Sequence, residues 1–475
     1  MPVQSTHSDY DKFSPMWRTV RDCVAGQMAV KSAKTRYLPA FEPADESRYA
    51  DYVQRAVFLG VTNRTRNSLV GAAFRKDPEF ELPQQIEYIR EDADGNGNSL
   101  TQVARSLVSN LVAIGRHGLL VDYPEAPEGL SAEQVARSNL RPFIREYTAE
   151  NIINWRVTRG KLSLVVLREA NEVEKDEFHY ESEYQYRVLR LVEGIYTQQI
   201  YDHAGNPVGE PMEPRQANGS RWDVIPFIVA GSTNNDINID YVTLYDLAEL
   251  NISHYRNSAD YEEGVFLHGQ PMLHIDTGEM SGDVWNTLNP NGVQVGARRG
   301  LVTNQGGSAQ LMQAQPNGAA FEALTHKEAQ MLQIGARLIE AGGANETAEA
   351  VRAKTAAEHS VLDSLVYNAQ DAIESAIEWV SMFAGVDASS VIVSLNRDFF
   401  DYSPDANMIS QMMGLEASGI ISKPVIISYL RKTGVVPDDM TDEEIIEAAE
   451  TSEIPSFAMT TGLNPTMSEL MQNVE

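Results

Sequence analysis

The residues best placed to do chemistry are acidic ones, and the first to test is the run EDADGNG. Asp92, Asp94 and Asn96, followed by Gly97, have the spacing that opens a calcium loop, in which alternating side-chain oxygens converge on one ion. Such a loop closes with a bidentate acid six residues past the glycine, and that position is Val103. The spacing therefore predicts a polar turn leading into the next helix, with calcium the weaker reading. Elsewhere no metal is expected and no cofactor is implied. The nine histidines are scattered without ligand spacing, and His254, His268 and His274 read as satisfied structural groups. A single cysteine, Cys23, excludes an intramolecular disulfide and a cysteine zinc cluster. The chain has no Walker A run, no H-E-x-x-H and no G-x-S-x-G elbow. Asp and Glu are so abundant that choosing two as an acid/base pair would be arbitrary, so no enzyme is expected.

Charge narrows the partners. Sixty-seven acids face 38 bases, a net −29 with pI near 4.7. A surface of that sign repels free nucleic acid and anionic membranes, which argues against an ordinary basic DNA-binding protein. The opening MPVQSTHSDYDKF holds no apolar core for a signal peptide, and no run reaches the ~18 apolar residues of a membrane span. The expectation is a soluble protein made inside the cell, with no membrane partner. At 475 residues more than one structural region is expected.

The elements that would position these residues are mixed, an α+β order. Helix is predicted over 49–74, and again after Leu100, where Val103, Leu107, Leu111 and Ile114 form an apolar stripe stopped by Gly115 and Gly118. LLVDYP reads as a buried strand. From about 141 to 235 the period becomes two, an antiparallel meander turning near Arg159-Gly160 and at 203–207. Helix returns over 241–264, bearing the acids Asp246, Glu249, Asp260, Glu262 and Glu263. Residues 264–320 hold ten glycines and three prolines with strand-like PMLHI, GVQV, GLVT and AQLM, a compact β-rich insertion. A helix follows over 321–341, then the small, nearly apolar junction Gly342, Gly343, Ala344, Asn345, Glu346 and Thr347. Residues 350–385 form the strongest helical pattern, ~50 Å long at the helical rise, closed by Gly385. SSVIVSL reads as a strand. Residues 401–475 are helical and acidic, with Thr441 as N-cap and Glu444 at the capping-box position. The last twenty residues are expected to be poorly ordered.

This order resembles the portal proteins of tailed bacteriophages, the head-tail connectors. The strings WRTVRDCVAG, YLPAF, YVQRAVFLGVTNRTRNSLVGAAFRKDP, GRHGLLVDYP, LYDLAELNISHYRNSADYEEGVFLHGQP and the Gly-Gly junction carry the likeness from about Trp17 to Gly385. The resemblance implies a wing of N-terminal helices and β-meander over 1–240 and a first stem helix over 241–263. A clip over 264–320, a second stem helix over 321–341 and a tunnel loop over 342–349 follow. A long wing helix and strand over 350–402 and a crown with C-terminal tail over 403–475 complete it. It further implies a homo-oligomeric ring, of about twelve subunits, at one capsid vertex of the virion. Double-stranded DNA would pass through it during packaging and ejection. The packaging terminase large subunit, a head-tail adaptor, and the major capsid and scaffolding proteins are the partners so implied.

On that resemblance the acidity acquires a use. Lysine and arginine grip duplex DNA by displacing its counterions, so a conduit does better with acids facing the passage. The junction glycines would touch a passing duplex without anchoring it. Arg352 and Lys354 just beyond would meet phosphates transiently or pair with acids of a neighbouring subunit. Arg298 and Arg299, on a glycine-flanked turn of the clip, would pair with acids of a partner. Two alternatives stand beside this reading: a ring-forming adaptor or capsid-associated scaffold without a DNA channel, and an acidic nuclease using carboxylate-bound magnesium.

Overall fold

The computed structural model describes residues 2–40, 45–123, 141–270, 272–288, 290, 305–313, 318–339, 348–397, 399, 406–432, 435–436 and 440–451. The chain divides into two compact units, Met1–Asp398 and Phe399–Glu475.

The first unit is organised around one buried helix. α5 (Leu100–Ile114) starts at Ser99, whose hydroxyl accepts from the Gln102 N–H while the Gln102 side chain accepts from the Ser99 N–H. It ends at Gly115, which takes the left-handed conformation that glycine adopts without strain. A Cβ there would lie 2.6 Å from the Tyr241 carbonyl oxygen. The predicted stripe Val103, Leu107, Leu111 and Ile114 is fully buried. Before α5 stand α1 (Ser8–Ala25), α2 (Gln27–Ser32), α3 (Glu46–Arg55) and α4 (Val61–Ala73). The single helical run expected over 49–74 is thus two helices. Between them the N–H of Val57 donates to Ser258 Oγ and that of Phe58 to Gln27 Oε1. Tertiary acceptors therefore take the donors a continuous helix would have used, and Ala56 and Phe58 are buried in the break.

From Gly115 the chain passes straight into β2 (Arg116–Asp122), every residue of which is buried. β2 is the middle of a three-stranded antiparallel sheet, between β3 (Phe143–Thr148) and β9 (Phe227–Gly231). A second antiparallel sheet has the order β4 (Ile152–Thr158), β5 (Lys161–Asp176), β6 (His179–Val192), β7 (Ile195–Tyr201) and β8 (Pro207–Met212). The meander over 141–235 is therefore real for these five strands, with turns at Arg159-Gly160 and 202–206. Its first and last strands belong instead to β2. β1 (Glu79–Glu81) pairs with β12 (Ile392–Ser394), which lies in the expected SSVIVSL strand.

α6 (Tyr245–His268) leads into the insertion, where β10 (Met272–Asp276) and β11 (Ser308–Met312) form an antiparallel pair and α7 (Gly282–Leu288) is a short helix. MLHI of the expected PMLHI, and AQLM, are strands. GVQV and GLVT lie outside the described residues. α8 (Gly318–Ile339) returns, and α9 (Ala348–Ala384) runs from the junction back across the unit. Leu362, Leu365, Val366, Ala369, Ile373, Ala376, Ile377 and Val380 of α9 are buried, and Gly385 closes it with φ +70°. Asn368 Nδ2 donates to the Gly231 carbonyl, and Asn235 Nδ2 donates to the Asn368 carbonyl and to Asp371, fixing α9 to the end of β9.

In the second unit α10 (Ala406–Ala417), α11 (Lys423–Lys432) and α12 (Asp442–Thr451) are helical. The expected capping box is present: Glu444 N–H donates to Thr441 Oγ1, and Thr441 N–H donates to Glu444 Oε2. The tail beyond 451 lies outside the described residues.

Candidate functional site

α6 and α8 form an antiparallel pair that carries the β10/β11 hairpin at one end. Contacts pair early positions of one helix with late positions of the other. His254 Nε2 lies 3.1 Å from Glu328 Oε1, Lys327 Nζ donates to the Ser253 carbonyl at 3.1 Å and to Asn257 Oδ1, and the Tyr261 and Phe321 rings sit 5.9 Å apart. Burial pulls the Lys327 ammonium below its ordinary value. At the hairpin base Gln313 Nε2 donates to the His268 carbonyl. α6 is anchored to the N-terminal helices through buried Asn251, which accepts from Thr62 Oγ1 and donates to the Leu59 carbonyl.

The five acids of α6 separate into two groups. Glu263 is buried against α3, with Arg55 Nη2 at 2.5 Å and Arg48 Nη2 at 3.8 Å, and the Arg55 guanidinium lies 4.1 Å from the Phe266 ring centroid. Asp260, exposed, accepts from the Tyr52 hydroxyl at 2.6 Å. Burial, and then that bond to Asp260, push the Tyr52 hydroxyl well above its ordinary value. Asp246 and Glu249 are exposed and Glu262 is half-buried, and among the described residues none of the three is in an ion pair. Burial and the Asp246 carboxylate raise Tyr241 to about 12.

Of the other sequence-derived candidates, Gly342, Gly343, Ala344, Asn345, Glu346 and Thr347 lie outside the described residues, as do Arg298 and Arg299. Arg352 and Lys354 fall in the first turns of α9, and their side chains also lie outside the description. The 92–97 loop is a folded turn. Asp94 Oδ1 accepts from the N–H groups of Asn96 and Asn98, and its Oδ2 accepts from the Asn98 amide. Asp92 accepts from the Gly97 N–H and from Arg141 Nη2 at 2.6 Å. Burial works against ionising Asp94, and the bonds from Asn98 and Asn96 outweigh it, so its carboxyl is held below the usual range. The carboxylate oxygens of Asp92 and Asp94 thus accept from protein donors within a polar turn. His254 is buried with Nε2 against Glu328, while its Nδ1 is buried without a hydrogen-bond partner, so it is only half satisfied.

Sequence reasoning missed a buried charge network joining the two larger sheets. Arg187 lies 2.7 Å from Glu169 and 3.4 Å from Asp122, Arg145 is 3.2 Å from Asp122, and the Tyr147 hydroxyl donates to Glu169. Its one sequence signal is charge placed inside otherwise apolar strands, in FIREYT and YRVLRLV.

Compared with known proteins, the chain matches over residues 243–384, essentially α6 to α9, the family described as Domain of unknown function (DUF4055). No curated protein matches the sequence. Among solved structures, the chain is similar to one in the neck of an empty GTA particle computed with C6 symmetry, at 14% identity and TM-score 0.41 over 87% of this chain and 100% of that one. It is also similar to an HK97 family phage portal protein from Corynebacterium diphtheriae, at 11% identity and TM-score 0.32 over 74% of this chain and 99% of that one.

Proposed function

We propose that this chain is a non-enzymatic structural protein of the portal type. It would form a ring at one capsid vertex, pass double-stranded DNA inward during packaging and outward at ejection, and dock the packaging terminase and then tail adaptors. The observation that carries this reading is the antiparallel pair α6/α8. Its first helix is held by the N-terminal helices from Asn251 to Phe266, the pair carries the β10/β11 hairpin at one end, and it is followed by the 37-residue α9. This succession supports the order of stem, clip, stem and long wing helix that the sequence resemblance implies. Asp246, Glu249 and Glu262, in no ion pair among the described residues, are the proposed lining of the passage, with Asp246 and Glu249 each accepting from a nearby tyrosine, Tyr241 and Tyr245. Asp260 and Glu263 are left out of that role because they are engaged on α3. The tunnel loop at 342–349, the clip contacts Arg298 and Arg299, and the crown over 403–475 are proposed on the resemblance alone.

Negative-stain imaging of the purified protein tests the reading. A ring with an axial pore of duplex width is expected. A ring closed at its centre would instead favour an adaptor or scaffold without a channel, and a monomer would remove the proposal.

A further inference from the structure

The β5/β6 hairpin has two ends of opposite character. β7 pairs with β6 only as far as Tyr186↔Tyr201, while β5 and β6 go on pairing from Ala170↔Tyr184 to Asp176↔His179. Past the sheet they form a bare two-stranded arm, roughly 20 Å long at the strand rise. The arm carries Glu172, Glu174, Asp176, Glu177, Glu181 and Glu183 against a single lysine, Lys175. Its aromatic residues are open to solvent: Phe178 is 87% exposed, Tyr180 56% and Tyr184 53%. A lone two-stranded ribbon is marginally stable in water, and exposed aromatics on it mark a surface that something covers.

At the other end of the same strands lies a cleft of about 840 Å³ whose charged lining is wholly basic: Arg156, Arg159, Lys161 and Arg190. Arg156, Leu164 and Arg190 stand opposite one another across three strands and so share one face. Further along that face Val166 and Val188 are buried beneath Val3 and Tyr10, and the cover stops before Arg190. Leu164 and Val192 give the cleft an apolar side. Lys161 reaches Asp223 at 3.3 Å in an exposed pair, whereas Arg156, Arg159 and Arg190 are in no ion pair among the described residues. In a chain with 67 acids, three arginines left unpaired in one cleft point to an anion from outside.

We infer that the occupant is a second copy of this chain: the acidic, aromatic β5/β6 arm of one subunit docks in the basic cleft of the next. Charge and apolar character both match. The arm does not reach its own cleft, because Leu164 and Asp176 are about 40 Å apart along one extended strand. The contact is therefore head-to-tail, the kind that closes rings. It also places local attraction between subunits that each carry −29 and otherwise repel. This inference rests on the ring proposed above.

The test is charge exchange in the full chain, read by mass photometry and sedimentation across a concentration series, with circular dichroism to follow folding. Reversing the cleft (Arg156→Glu, Arg159→Glu, Arg190→Glu) or the arm (Glu172→Lys, Glu174→Lys, Glu181→Lys) should each raise the concentration for assembly at least about tenfold. Both reversals in one chain should bring it back to within about threefold of the parent. Single reversals that assemble like the parent, or a combined variant no better than the worse single one, would overturn the contact. If the parent ring and its pore persist in both, the channel reading stands without the arm. A parent chain that stays monomeric removes both. Should a reversal disturb folding, the pair Ser182→Cys and Val192→Cys in the unreversed chain decides, since Cys23 is buried. Oxidation should give a ladder of linked subunits, and a ring without linked species overturns the contact. A labelled duplex that binds the parent and is lost on cleft reversal, with assembly unchanged, would assign the cleft to nucleic acid instead.

Discussion

At the scale of single residues, two neighbours on α6 show how much environment decides. Glu262 and Glu263 are adjacent acids, yet one is half-buried without an ion pair and the other is buried beneath Arg55. Removing Arg55 would leave the Glu263 carboxylate buried with only Arg48 at 3.8 Å, a geometry too long for a strong bond. Arg55→Ala is therefore expected to lower stability by about 3 kcal/mol, since breaking a buried pair strands its remaining charge. Glu262→Gln should stay within about 0.5 kcal/mol, since it is half-buried and breaks no ion pair. Urea unfolding of the two variants checks this, and equal effects would contradict the division of the α6 acids. The sequence presents these acids as equivalent, because the arginines that separate them lie on α3, about 200 residues earlier.

At the scale of elements, legibility followed periodicity and failed where distant groups intervened. α5 and α9 were readable because their apolar stripes repeat at helical spacing and each ends at a left-handed glycine. The break between α3 and α4 was not, because its N–H groups are satisfied by Ser258 and Gln27. The helix expected over 241–264 starts instead at Tyr245 and runs through Gly264 to His268. A mid-helix glycine costs only about 1 kcal/mol, less than the packing of α6 along α8 and α3 returns. The network joining the sheets supplies a prediction of its own. Burial works to raise the Glu169 carboxyl, but the charge and hydrogen bonds of Arg187, with Tyr147 and Gln185, outweigh it and hold it below the usual range. A depressed folded value means the stabilisation is complete above the unfolded value of about 4.3 and fades as pH falls through the folded one. The urea midpoint should therefore drop as pH is lowered from about 5 to about 2. Glu169→Gln should be less stable at neutral pH and show a shallower acid dependence, and an unchanged slope would mean the pair is not what acid breaks.

At the scale of the whole molecule, the question is how a polyanion is guided by a protein of the same sign. On the proposed reading two demands pull apart: subunits with −29 each would have to associate, and the passage they enclosed would have to leave DNA unheld. The charge distribution would meet both if attraction is confined to sockets between neighbours and Asp246, Glu249 and Glu262 face inward. Duplex DNA binds basic proteins non-specifically at roughly 10⁻⁴–10⁻⁶ M through counterion release, and a ring arranged this way offers it no such grip. Short labelled duplex titrated with assembled ring at physiological salt should therefore show no binding up to about 10⁻⁴ M. Introducing cations on α6, as Glu249→Lys with Glu262→Lys, should create salt-sensitive binding without changing ring size if those positions line the passage. If the junction is the proposed contact with the passing duplex, replacing Gly342 and Gly343 with bulky residues should reduce packaged DNA while rings still form. Tight binding by the parent ring would show that the passage attracts what it carries. Lysines on α6 that leave binding unaltered would place those acids elsewhere than the lumen, and full genome content in the junction variants would remove the contact assigned to the two glycines.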